Sequence, residues 1–216
     1  QPYGPDKFQV SADGKILCIL ATSKGKAKTK KGLFVYNSPG TNSFNFTVTY
    51  STEIYAHDLA LSRNGQYLYV SARGCSTDQN ECSTDQNGVE GLHLFNLENV
   101  HSPVTSDPSK LGTEAGPADD GSMGMLYLNR DDSRLYVDRG ISMFAVYSVK
   151  DDGAVHFIVE EKLQPNDHFG DLIPTACVEN PDQKTMYCGL GSDEHKILIF
   201  SLRHALSVQP TVHNKY

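Results

Sequence analysis

The chain has 216 residues, with 19 Lys and Arg against 26 Asp and Glu, a net charge of −7 and a pI near 5.6. That acidity excludes the basic face on which nucleic-acid binders rely, and no run of about 18 apolar residues marks a membrane-spanning helix. The length suffices for one domain with a sizeable core, and 11 Tyr and 9 Phe with no Trp supply aromatics that suit strands.

The first unit runs from Gly4 and reads GPDKFQVSADGKILCILATS. Apolar alternation on both sides of Asp13-Gly14 predicts a β-hairpin. The basic run KGKAKTKK, Lys24 to Lys31, reads as a solvated loop tip or an anion-binding loop. GLFVYNS and FNFTVTYST then supply third and fourth strands. Asn45-Phe46-Thr47 in the last of these is an N-glycosylation sequon.

The second unit, AHDLALSRNGQYLYVSARG from Ala56 to Gly74, is the best-formed hairpin. A loop, CSTDQNECSTDQNG, repeats one hexapeptide and carries Cys75 and Cys82. Asp78, Asn80, Asp85 and Asn87 offer oxygen ligands there, but without the spacing and terminal Glu of a calcium loop, so a disulfide-stabilised surface loop is expected. GLHLFNL is the third strand, and residues 99–120, rich in Ser, Pro, Gly and Thr, show no clear fourth.

The third unit has GMLYLNRDDSRLYVDRG, SMFAVYSV and HFIVEEKL; the fourth has TACVENPDQKTMYCGLG, KILIFSL and a weak strand around Ser207 to Val212. Aligning the turns puts Lys7, Asp58, Met125 and Ala176 in one column. No helical period is sustained. Units of about 40–50 residues holding four antiparallel strands are the signature of propeller blades. The expectation is an all-β single domain, a β-propeller of about four four-stranded blades, with units at 4–53, 54–120, 121–167 and 168–213. The ring either closes as a four-bladed monomer or belongs to a larger ring, completed by a missing segment or a second subunit.

Cys177 and Cys188 flank the turn at Pro181 to Lys184 and fall opposite each other on paired strands, where a disulfide fits. Cys75 and Cys82 pair within their loop, leaving Cys18 a buried free thiol. With the sequon and an initial Gln in place of Met, read as a removed leader or a processed fragment, the cysteines point to a secreted protein.

Gly4-Pro5-Asp6-Lys7 with Ser11-Ala12-Asp13-Gly14-Lys15, then Asp58-Leu59, Asn64-Gly65, Leu68-Tyr69-Val70-Ser71 and Arg73-Gly74, resemble the YVTN-type repeats of the lactonase family of β-propellers. That family includes propeller-type 6-phosphogluconolactonases and carboxy-muconate cyclising enzymes. The resemblance implies a central-channel site in which Asp58 matches the family's acidic position and Arg73 the Arg of its N-R-G motif. The family's Arg-His pair falls on Asp6 and Lys7, which differ.

Lactone chemistry needs a proton-moving group and a donor for the oxyanion. Asp58 fits the first task and Arg73 the second, with Lys7 as a further positive charge for an acidic ligand. Lys7 and Asp58 also read as a structural ion pair. His57 alternates to the opposite face and shares their pocket only if the strand bulges. The other histidines lack zinc-ligand spacing, so no metal or cofactor is expected. Two functions remain open. One is a secreted, non-catalytic propeller that binds a small molecule or glycan in a lectin-like manner, with Tyr36, Tyr55 or Tyr127 as stacking surfaces. The alternative is a lactonase- or cyclase-like enzyme working in the channel. Either acts as a monomer or dimer, without nucleic acid or a membrane span.

Overall fold

The computed structural model describes residues 4–24, 29–38, 45–51, 55–73, 91–97, 109–110, 124–138, 143–162, 174–180, 185–190, 197–201 and 211–213. The regular elements among them are all β-strands: β1 Gly4–Val10, β2 Ile16–Lys24, β3 Thr29–Asn37, β4 Asn45–Ser51, β5 Tyr55–Leu61, β6 Tyr67–Arg73, β7 Gly91–Asn96 and β8 Ser109–Lys110. They continue as β9 Leu126–Leu128, β10 Arg134–Asp138, β11 Met143–Val149, β12 Val155–Lys162, β13 Pro174–Glu179, β14 Thr185–Leu190, β15 Ile197–Ser201 and β16 Thr211–His213. They form four four-stranded sheets, β1–β4, β5–β8, β9–β12 and β13–β16, each ordered as in the chain. Every pairing is antiparallel. This is the blade architecture of a β-propeller.

The turn residues explain the hairpins. Ser11, Ser62 and Asn129 each accept a bond from the backbone N–H five residues on, at 2.9, 2.9 and 2.8 Å. Two residues after each, Asp13, Asn64 and Asp131 accept from Lys15, Gln66 and Ser133 at 3.0, 2.9 and 3.0 Å. The next residue takes a left-handed backbone, Gly14 at φ 71° and Gly65 at φ 74°. Asp132, at φ 58°, holds that place in the third sheet, a conformation that short polar side chains tolerate.

Alternation then decides packing. Even-numbered β2 residues Cys18 and Leu20, with Leu33 and Val35, meet Leu59, Leu61, Leu68, Val70 and Phe95 of the second sheet. The opposite face of that sheet, with Ala60, Tyr69 and Leu92, meets Leu126, Leu135, Val137, Ala145 and Tyr147 of the third. Each fully buried Leu contributes on the order of 2 kcal/mol. Polar ties run between successive sheets: the Ala12 N–H donates to the Arg63 carbonyl at 2.8 Å, the Arg63 N–H to Asp132 at 2.8 Å, and the Arg130 N–H to Glu179 at 2.8 Å.

One expectation shifts. Residues 99–120 do contribute a fourth strand, since Ser109–Lys110 pair with His93 and Leu94 through backbone bonds that carry no apolar signature. Of the basic run, Lys24 and residues 29–31 lie in strands, with Lys24 paired to Thr29, and residues 25–28, where the loop tip is expected, lie outside the described residues. Phe8 on the first sheet is 68% exposed and Val178 on the fourth 62% exposed.

Candidate functional site

The innermost strands of the first three sheets, β1, β5 and β9, pack side by side. Near the start of β1 and β5 the register slips by one residue, at Asp6 and at His57, and β13 slips likewise at Thr175. A bulge re-aims the side chains around it. The same irregularity at the same place in three sheets marks this end of the inner strands as a built feature.

There the structure brings Lys7 and Asp58 together, with Nζ 2.8 Å from Oδ2. Asp58 is engaged on every side. Its Oδ1 accepts the Leu59 N–H at 2.8 Å, and its Oδ2 accepts the Leu126 N–H of the third sheet at 3.0 Å. The Asp58 N–H in turn donates to the Ser71 hydroxyl at 3.0 Å, which donates to the Gly124 carbonyl at 2.7 Å. One carboxylate thus ties three sheets at their inner ends. Its side chain is 6% exposed, whereas that of Lys7 is 39% exposed. The group presented outward is the ammonium, oriented by the buried acid beneath it.

Two residues of this cluster went unread in the sequence. Ser71 and Asp138 occupy the same place in the second and third hairpins, LYVS and LYVD, and both are buried. Asp138 backs directly on Gly124, where any side chain would strike its carboxylate. The signal available was the repeat alignment itself, which puts a polar residue where the strand otherwise reads apolar.

The remaining expected site residues separate. Arg73 ends β6, with its backbone paired to Tyr55, and its side chain lies outside the described residues. Cys75, Cys82 and the rest of their loop lie outside them too, as does the side chain of Asn45, the first residue of β4. Cys177 and Cys188 are directly opposed on β13 and β14 and form a disulfide, with Cα atoms 4.1 Å apart. Cys18 is a free, buried thiol, which burial pushes up to about 12. The Tyr127 hydroxyl accepts the Glu179 N–H at 3.0 Å and so joins the third and fourth sheets. Among the described residues no group of three metal-ligating side chains converges, and no helix is long and apolar enough to cross a membrane.

Fold and site together define a stretch of β-propeller with a charged cluster at the inner ends of its blades. Among solved structures, the chain is similar to the periplasmic gluconolactonase PpgL of Pseudomonas aeruginosa, at 15% identity and a TM-score of 0.68, covering 97% of this chain and 57% of that one. It is similar also to a protein of Lactobacillus plantarum, at 16% identity and a TM-score of 0.62 over 98% of this chain and 54% of that one. A candidate 6-phosphogluconolactonase of Bacteroides fragilis NCTC 9343 aligns at 13% identity and a TM-score of 0.60, covering 98% and 71%. The chain therefore spans little more than half the length of the gluconolactonase. No protein-family model matches it, and no curated protein matches it in sequence. At these identities the likeness establishes the fold.

Proposed function

We propose that this chain is a lactonase-like propeller of the YVTN-repeat type, and that it takes a small sugar-acid lactone at the inner ends of its blades. The observation that carries the reading is the Lys7–Asp58 pair: a half-exposed ammonium fixed by a buried carboxylate that is itself held by two backbone amides. The resemblance of its neighbours to gluconolactone-processing propellers supports the substrate class.

In lactone hydrolysis, water adds to the carbonyl carbon, the ring C–O bond breaks, and the leaving alkoxide takes the proton, giving the hydroxy acid. Negative charge gathers on the carbonyl oxygen in the first step. Lys7 keeps donors beyond the one spent on Asp58 and is placed to stabilise that charge. Arg73 is proposed as a second donor, from its place at the end of β6. Asp58 acts by orienting Lys7 and not as the base, because both its oxygens already accept bonds and little of it is exposed.

The Tyr127 hydroxyl is committed to a bond between the third and fourth sheets. A periplasmic relative and the Cys177–Cys188 disulfide support an extracytoplasmic location. Opening of an aldonolactone, followed by acid release against the spontaneous rate, tests the reading. Wild type is expected to exceed the background, with Lys7→Met losing about 100-fold or more of that excess and Arg73→Ala also slowed. Turnover equal to the background, with no thermal shift on adding lactone or aldonate, contradicts it.

A further inference from the structure

Opening a lactone needs a group that moves protons. Lys7 serves as an ammonium, and both oxygens of Asp58 are engaged. The inner strand of the second blade carries a candidate one residue away. On β5, Ala56 pairs with Ala72 and Asp58 with Ser71, so His57 is the extra residue of the bulge. Ala72 and Ser71 are neighbours on β6 and face opposite sides of the sheet. Ala56 and Asp58, though two residues apart, therefore face opposite sides too, and His57 cannot alternate with both. The bulge removes the strict alternation that would set its imidazole across the sheet from Asp58.

Its place in the fold suits a proton carrier. β5 is the edge strand on the inner side of its sheet, and in a propeller that edge borders the central channel. His57 is partly buried, and among the described residues it is the one histidine on an innermost strand; His93, His156 and His213 lie on β7, β12 and β16. The N–H of the His57–Asp58 peptide reaches the Gly124 carbonyl through a single hydroxyl, that of Ser71. Gly124 holds the place of His57 in the third unit, and the Asp138 carboxylate fills the space a side chain there would take. The ionisable residues placed at this end of the strands around His57 are Asp6 and Lys7 on β1, Asp58 on β5, Arg73 at the end of β6 and Asp138 on β10.

We propose that His57 is the proton-transfer residue of lactone opening at this site, an inference that rests on the lactonase reading above. The neutral imidazole takes a proton from water as the water oxygen bonds to the lactone carbonyl carbon, and Lys7 faces the charge that gathers on the carbonyl oxygen. The tetrahedral intermediate then collapses, the ring C–O bond breaks, and the imidazolium gives its proton to the leaving alkoxide. His57 ends neutral. The product is the hydroxy acid, whose carboxyl ionises to solvent. Asp58 keeps its one task of holding Lys7.

The test follows aldonolactone opening above the enzyme-free rate, from about pH 5 to about pH 8, in wild type, Lys7→Met, His57→Gln and His57→Ala. Thermal midpoints check that each variant is folded, and added imidazole is tried on the last. Wild type is expected to slow as pH falls from about 7 to about 5, where a histidine base is protonated. His57→Gln is expected to lose about 100-fold or more of the rate, and the acid limb with it. Imidazole is expected to restore part of the rate of His57→Ala and none of that of Lys7→Met. A folded His57→Gln that keeps the wild-type rate and acid limb overturns the role of His57 and leaves the lactonase reading intact, as does a His57→Ala that imidazole leaves unchanged. Wild-type turnover equal to the enzyme-free rate overturns both.

Discussion

Asp58 shows how much can rest on one side chain. Its carboxylate accepts from Leu59 and Leu126 and pairs with Lys7. Asp58→Ala leaves two buried amides and one ammonium without their acceptor, which costs about 3–5 kcal/mol; urea unfolding reads this as a lower midpoint at unchanged slope. Cys18 offers a second check. With its thiol pushed up to about 12 by burial, it forms almost no thiolate at pH 8. It is therefore expected to resist alkylation in the folded protein and to react in denaturant; rapid labelling of the native chain at Cys18 contradicts its placement. The pairing of Lys7 with Asp58 was half legible, since the repeat alignment put both in one column. The bulges at Asp6 and His57 were not, because an extra residue in a strand leaves no mark in apolar alternation.

Hairpins and their turns carry the next level. The Asp131 carboxyl, though burial alone raises it, is held below the ordinary Asp value of 3.8 by hydrogen bonds from Ser133 and Asn129. A depressed carboxyl contributes stability that is present above the unfolded value and lost as pH falls through the folded one. Asp131→Asn is expected to flatten the stability-against-pH curve below about pH 4; the neighbouring Asp132, raised chiefly by burial, slopes the other way in both proteins. An unchanged acid limb counts against the turn geometry. In the fourth blade, the disulfide closes a loop of sequence separation 11, for which loop-closure entropy gives about 3 kcal/mol. Cys177→Ser with Cys188→Ser is expected to lose roughly that much, seen by denaturant titration against wild type. The hairpins were legible because Ser-x-Asp-Gly and its variants name their own turn. β8 was not, because two polar residues pair by backbone alone.

For the whole molecule, the repeat announced blades, and alternation within each strand announced two packing faces per blade. Whether the blades close on themselves lay beyond the sequence, since closure depends on small rotations between sheets that residue types do not encode. The site is legible only where repeats converge. Lys7 and Asp58 come from neighbouring blades of one column, while Arg73 rests on its motif alone.

If Asp58 serves the proposed site by holding Lys7, the two residues are coupled, and a double-mutant cycle on aldonolactone opening reads that coupling most directly. Lys7→Met, Asp58→Asn and the double variant are compared with wild type, each at a temperature where all remain folded. Strong coupling is expected: Asp58→Asn slows the reaction in the presence of Lys7 and adds almost nothing once Lys7 is gone. Independent, additive losses would instead make Asp58 a proton-transfer group in its own right and contradict the claim.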